Sequence, residues 1–211
     1  MVLRDVIGEI NNKFFENSGI NLSLATFIDQ AVKSFNEPSG ASSNSYYSLT
    51  ELTNPQQKFC KVTAPYVKRN NTLARKLIMG KILERKFANW CRLMPELQVE
   101  EGTLDGAYVG IPRVRGRVDF IIDNRIVELK TKENIPESVN EIYDKYPNDL
   151  EQLVFYSALH PSRPEKNILL FMKDKSPFSM RAFEVNTKDF NTIKSIILER
   201  IQILDNAFLP N

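Results

Sequence analysis

Residues 118–132 read VDFIIDNRIVELKTK, two largely apolar runs around an Asp-Asn pair. Asp123 and Asn124 both tolerate the positive φ of a two-residue turn, so the stretch predicts a β-hairpin. With those residues as the loop, Ile122 pairs with Arg125, Ile121 with Ile126, Phe120 with Val127, and Asp119 with Glu128. Side chains alternate faces along a strand. One face then carries Val118, Phe120, Ile122, Val127 and Leu129, an apolar set for a core, and the other carries Arg117, Asp119, Glu128 and Lys130. This register sets two carboxylates opposite each other, with Cβ atoms roughly 4.5–5.5 Å apart, where like charges destabilise a sheet. Two readings are open. The acids are solvated on an exposed face beside a basic neighbour, or they hold a divalent cation, since Mg²⁺ is typically bound through one or two carboxylates.

The flanking helices bear on that choice. In residues 70–91, NNTLARKLIMGKILERKFANWC, steps of three or four place Leu73, Leu77, Gly80, Glu84, Phe87 and Cys91 on one stripe. A carboxylate aimed at a core must be paired or metal-bound. For Glu84 the alternatives are a metal and an ion pair, with Arg117 the obvious partner. Gly80, one turn earlier, would allow close backbone approach. A second helix, DLEQLVFYSAL, carries Gln152 and Tyr156 at i and i+4 on one face.

Around these lie a short helix start at SLTEL, with Ser48 or Thr50 as cap, and strands at LQVEEG, NILLFMK and MRAFEV. A polar, proline-bounded insertion at 133–148 either gates the site or is a surface loop, and a long amphipathic helix follows at the C-terminal end. The order is helix, three strands, helix, two strands, helix, which predicts an α/β fold with a mixed sheet flanked by helices. Residues 1–47 read as a helical N-terminal segment with a Ser-rich linker, and 48–211 as the main domain, together one compact unit.

The 211 residues carry a net charge of +2, unevenly spread. Nine Lys or Arg lie between Lys61 and Arg92 against one acid, Glu84, while seven acids lie between Glu133 and Glu165 against Lys145 and Arg163. Either these are two solvated faces, or the first is a basic surface for a polyanion. Two cysteines and one histidine, His160, exclude a disulfide framework, a zinc site and a four-cysteine iron–sulfur cluster within one chain. No apolar run reaches the length of a membrane span, so an intracellular, cytoplasmic protein is expected.

Taken together, Gly80-x-x-x-Glu84, Gly116-Arg117-Val118-Asp119, Glu128-Leu129-Lys130 and Gln152-x-x-x-Tyr156 resemble the motifs of the RecB-like branch of the PD-(D/E)XK nucleases, which includes CRISPR-associated exonucleases. Four motifs in order, from about residue 48 to 190, are a specific signal. The resemblance implies a restriction-endonuclease-like fold with an α-β-β-β-α-β-β-α core. It implies Asp119 and Glu128 as metal-binding carboxylates for Mg²⁺ or Mn²⁺, Glu84 as a third acidic group, and Leu129 as a carbonyl ligand. Lys130 would activate the attacking water or stabilise the transition state, and Gln152 and Tyr156 would position substrate and lysine. Val118 stands where the superfamily's proline would be, and the cysteines of the iron–sulfur subgroup are absent.

On this reading the charge asymmetry resolves towards nucleic acid, with Arg75, Lys76, Lys81, Arg85, Arg115, Arg117 and Lys132 as contacts. The activity implied is hydrolysis of DNA to 5′-phosphate ends in replication, recombination or repair, on single strands, ends or branches. Small stand-alone relatives elsewhere in the superfamily cut four-way junctions, which needs two sites across a symmetric interface and therefore a homodimer. Such a compact enzyme would suit a virus, plasmid or repair system. A rival from another class is a DNA-binding protein that keeps a nuclease fold without turnover. A third is a metal-free protein in which Glu84 is merely ion-paired.

Overall fold

The computed structural model describes residues 46–54, 71–173 and 179–208. Nearly all of the expected N-terminal segment 1–47, and the basic residues Lys61, Lys68 and Arg69, lie outside the described residues. The described chain begins with β1 (Tyr47–Ser48) and α1 (Leu49–Thr53), then α2 (Asn71–Arg92), β2 (Val99–Asp105) and a 3-10 turn (Gly106–Val109). It continues with β3 (Val114–Ile122), β4 (Arg125–Lys132), α3 (Val139–Lys145), α4 (Pro147–Leu159), β5 (Lys166–Lys173), β6 (Met180–Asn186) and α5 (Phe190–Phe208). Ser48 caps α1 with a capping box: its hydroxyl accepts from the Glu51 N–H and the Glu51 carboxylate accepts from the Ser48 N–H. The insertion at 133–148 is tied down through Ile142, which is fully buried in α3.

Six strands form one mixed sheet in the order β1-β3-β4-β5-β6, with β2 also on β3. Arg115 pairs with both Ser48 of β1 and Asp105 of β2, so these strands flank opposite edges of β3. Helices cover both faces. On one, α2 packs Leu83, Phe87 and Cys91 against Phe120, Ile122, Val127, Leu129, Ile168 and Leu170. On the other, α1, α4 and α5 pack against Val118, Ile126, Leu169 and Phe171. Strand β5, the run NILLFM, is buried on both faces, as a central strand paired in parallel with β4 should be.

The hairpin turns where expected: Asp123 and Asn124 have φ of 50° and 59°. Three of the four expected pairs form, Ile122 with Arg125, Ile121 with Ile126 and Phe120 with Val127. Asp119 and Glu128 do not pair. The ladder ends at Phe120, and beyond it β3 and β4 part. The expected faces also need correcting. Between the pairs Glu100–Ile121 and Gly102–Val118, β3 advances three residues while β2 advances two. One residue is therefore extra on β3 at Asp119–Phe120, a β-bulge that breaks the alternation. Val118 goes to the core under α4, while Phe120 and Ile122 go to the core under α2.

The stripe expected on α2 shifts as well. Leu77 is 43% exposed, and the buried line runs through Ala74, Ile78, Leu83, Phe87 and Cys91. Stepping by three or four from Phe87 reaches either Leu83 or Glu84, and packing selects the leucine. Gly80 does make a close approach: a Cβ there would stand 3.2 Å from Thr131 Oγ1 on β4.

Candidate active site

Where β3 and β4 part, each loses ladder partners, and side chains take them up. Asp119 Oδ2 accepts from the Leu129 N–H at 2.9 Å, in the gap left by the missing pair. The Arg117 carbonyl accepts from the Tyr156 hydroxyl at 2.7 Å. Tyr156 reaches that carbonyl because residue 116 is glycine. A Cβ there would stand 2.5 Å from Tyr156 Cε1 and 2.9 Å from Leu49 Cδ1.

Glu128 is buried at 3% exposure, and Lys130 is nearly enclosed beside it. Lys130 Nζ donates to Glu128 Oε1 at 2.8 Å and to Gln152 Oε1 at 2.7 Å. Gln152 in turn donates through Nε2 to the Tyr156 hydroxyl at 3.2 Å and to Thr50 Oγ1 at 3.3 Å. A continuous chain thus runs from the lysine of β4 through one face of α4 to the backbone of β3. Pro147 sits in the first turn of α4, where a missing N–H costs no hydrogen bond, and one helical turn on α4 sets Gln152 above Tyr156.

Burial dominates the electrostatics. It pushes the Glu128 carboxyl up to about 7, with Asp119 adding to the shift and Lys130 opposing it. Burial also raises Asp119, against the pull of Lys130 and the Leu129 N–H, and the charge of Glu84 adds to the rise. For Lys130, burial acts against the ammonium, but Glu128 and Asp149 outweigh it and hold the group above the ordinary lysine value. Burial raises the Tyr156 hydroxyl too, with Glu128 and Asp119 adding to it, which leaves that group a donor.

Glu84 takes a different place from the one expected on the buried stripe. Its side chain is 14% exposed, ion-paired with Lys81 and 3.9 Å from Arg117 Nη2. Among the described residues, no three His, Cys, Asp or Glu side chains converge as a metal cluster. The Asp119–Glu128 pair nevertheless fits a divalent cation. Glu128 Oε2 is buried with no hydrogen-bond partner, and one or two carboxylates with several waters is the usual Mg²⁺ environment.

Of the expected DNA contacts, Lys81, Arg85 and Arg117 line one cleft between α2 and the β2–β3 pair. Arg75 and Lys76 are exposed nearer the start of α2. Arg115 donates to Asp105 at 2.9 Å and stacks on Tyr46 at 3.7 Å, while Lys132 ion-pairs with Asp149 at 2.6 Å and lies over the Tyr146 ring. Three residues were not picked out from the sequence. Asp149, near Lys130 and Lys132, lies three residues before Gln152 and so on the same helix face, a spacing that was available as a signal. Arg92 closes the basic run and lines the cleft, and Glu101, facing it, had no sequence signal.

No family model matches the sequence, and no curated protein matches it. Solved structures do. The crystal structure of SSO0001 superposes with a TM-score of 0.56 over 90% of this chain and 97% of that one, at 15% identity. An alkaline exonuclease, LHK-Exo from Laribacter hongkongensis, superposes with a TM-score of 0.53 over 77% of this chain and 89% of that one, at 12% identity. At these identities the likeness concerns the fold. With its helix-flanked mixed sheet, this chain has a restriction-endonuclease-like fold.

Proposed function

We propose that this chain is a metal-dependent deoxyribonuclease that hydrolyses phosphodiester bonds in DNA, leaving 5′-phosphate ends, in replication, recombination or repair. The observation that carries the reading is the closeness of Asp119, bound to the Leu129 N–H, to Glu128 where β3 and β4 part, with Glu128 Oε2 buried without a hydrogen-bond partner and Lys130 held beside it. A fold shared with an alkaline exonuclease adds support. Asp119 and Glu128 would hold Mg²⁺ or Mn²⁺, which when bound lowers the pKa of water and neutralises the reacting phosphate. Glu84, now ion-paired with Lys81, would be the third acidic group. Lys130, fixed by Glu128 and Gln152, presents an ammonium where negative charge develops on the phosphate, a preorganised donor that needs no rearrangement at the moment of reaction. Gln152 and Tyr156 act on the lysine and on the β3 backbone, and are positioning residues.

Labelled single-stranded, duplex and four-way-junction DNA, each with Mg²⁺, Mn²⁺ or EDTA, tests the reading on wild type and Lys130→Ala. Cutting that needs the metal and falls about 10²-fold or more in the variant is the expected result. The preferred substrate separates end processing from junction resolution, and the latter also requires a homodimer. A second reading, a DNA-binding protein without turnover, draws on the ion pairs that occupy Glu84. It predicts no cutting of any substrate and equal DNA binding by both proteins.

A further inference from the structure

The cleft beside the carboxylates has a charge arrangement that the chemistry above does not use. It encloses about 490 Å³ between α2 and the β2–β3 pair, and four cations, Lys81, Arg85, Arg92 and Arg117, line it against two acids, Glu84 and Glu101. Glu84 lines the cleft and also acts electrostatically on Asp119, so the cleft adjoins the candidate site. Within it, Glu101 divides its carboxylate between two guanidiniums. Its Oε1 accepts from Arg92 Nη2 at 2.7 Å, and its Oε2 lies 3.9 Å from Arg117 Nη2. The Arg92 and Arg117 side chains are 55% and 64% exposed, and that of Glu101 is 38% exposed.

Two guanidiniums sharing one anion with two terminal oxygens is the arrangement that a phosphodiester also satisfies, because its two non-bridging oxygens accept in the same way. We propose that Arg92 and Arg117 seat a backbone phosphate of the DNA strand next to the catalytic carboxylates, and that Glu101 fills this seat in the free protein as a competing anion. The inference rests on the reading of the chain as a protein that acts on DNA. Exchange of Glu101 for phosphate costs little, since an exposed ion pair contributes little stability. It also leaves the core undisturbed, because the three side chains reach the cleft from solvent. Glu101 then tunes affinity: it lowers binding to any polyanion that does not displace it from both arginines.

The test is binding of a short labelled single strand of DNA, followed by fluorescence anisotropy in EDTA across a salt series. Arg92→Ala and Arg117→Ala should each weaken binding about threefold to tenfold and flatten the plot of log K against log salt by about 0.7. Glu101→Gln, which keeps the shape and removes the charge, should bind about threefold more tightly. Equal or weaker binding by Glu101→Gln overturns the proposal, as does an Arg92→Ala that binds like wild type. Cleavage in Mg²⁺ is scored separately. Wild-type cutting with binding indifferent to Arg92 and Glu101 overturns the seat and leaves the nuclease standing. No cutting, with the expected binding shifts, leaves the seat and overturns the nuclease. If no variant and no wild type binds the strand, both fall.

Discussion

Tyr156 donates its hydroxyl hydrogen bond to the carbonyl of Arg117, on the stretch of β3 that has parted from β4. Tyr156→Phe keeps the ring packed on Gly116 and leaves that carbonyl without its donor, so stability should fall by about 1–3 kcal/mol, read from the midpoint of urea unfolding. Gly116→Ala acts on the same contact from the other side. Its added methyl meets Tyr156 at 2.5 Å and Leu49 at 2.9 Å, and overpacking of this kind costs about 1–3 kcal/mol. The same variant also pulls Tyr156 from Gln152 and, through it, disturbs Lys130. Cleavage should therefore fall further than the loss of folded protein explains, which specific activity at a temperature well below the melting point will show.

Between elements, two contacts decide how the layers hold. Phe87 of α2 and Phe120 of β3 are both fully buried with ring centroids 5.2 Å apart, and Phe87→Ala should cost about 3–5 kcal/mol in denaturant unfolding. The opposite layer is tied by α5. Asp205 accepts two hydrogen bonds from the Arg113 guanidinium, each at 2.8 Å, and one from the Tyr47 hydroxyl at 2.6 Å. The Arg113 hydrogen bonds foremost hold the Asp205 carboxyl below its ordinary value. A carboxyl lowered in the folded state stabilises fully above its unfolded pKa, and that stability drains away as the pH falls through the lowered value. Asp205→Asn should thus unfold about 1 kcal/mol more easily near neutral pH and match wild type in strong acid. Much of this level was legible in the sequence. The run RIVELKTK is a strand from end to end, and the Asp-Asn turn and the helix of Gln152 and Tyr156 fall where their residues put them. Strand β1 was not, because its two residues are strand only through pairing with residues 114 and 115, far along the chain. The line of burial on α2 was half legible: an exposed leucine and a buried one look alike until the sheet chooses between them.

For the molecule as a whole, the sheet separates two cores, and the candidate site lies at the seam where β3 and β4 let go of each other. Binding of a cation at that seam would be linked to folding, because the unfolded chain does not hold Asp119 beside Glu128. Mg²⁺ or Mn²⁺ should raise the melting temperature of wild type, by the equivalent of about 2.7 kcal/mol at a hundredfold excess over Kd, and leave that of Glu128→Gln unmoved. The residues of the site were legible as a set, since each motif sits on its own element and the hairpin register already set Asp119 opposite Glu128 beside Lys130. The way they meet was not, because that pair does not form and β3 carries one supernumerary residue at Asp119–Phe120, which no glycine or proline marks. That residue works like a half-period slip in a wave: upstream of it odd and even positions mean one thing, and downstream they mean the opposite. Without the slip β3 would run in phase with β2 throughout, and Val118 and Phe120 would then face the same layer instead of opposite ones. Asp119 would lose the turn of the backbone that now presents it, and with it the place from which it reaches the Leu129 N–H.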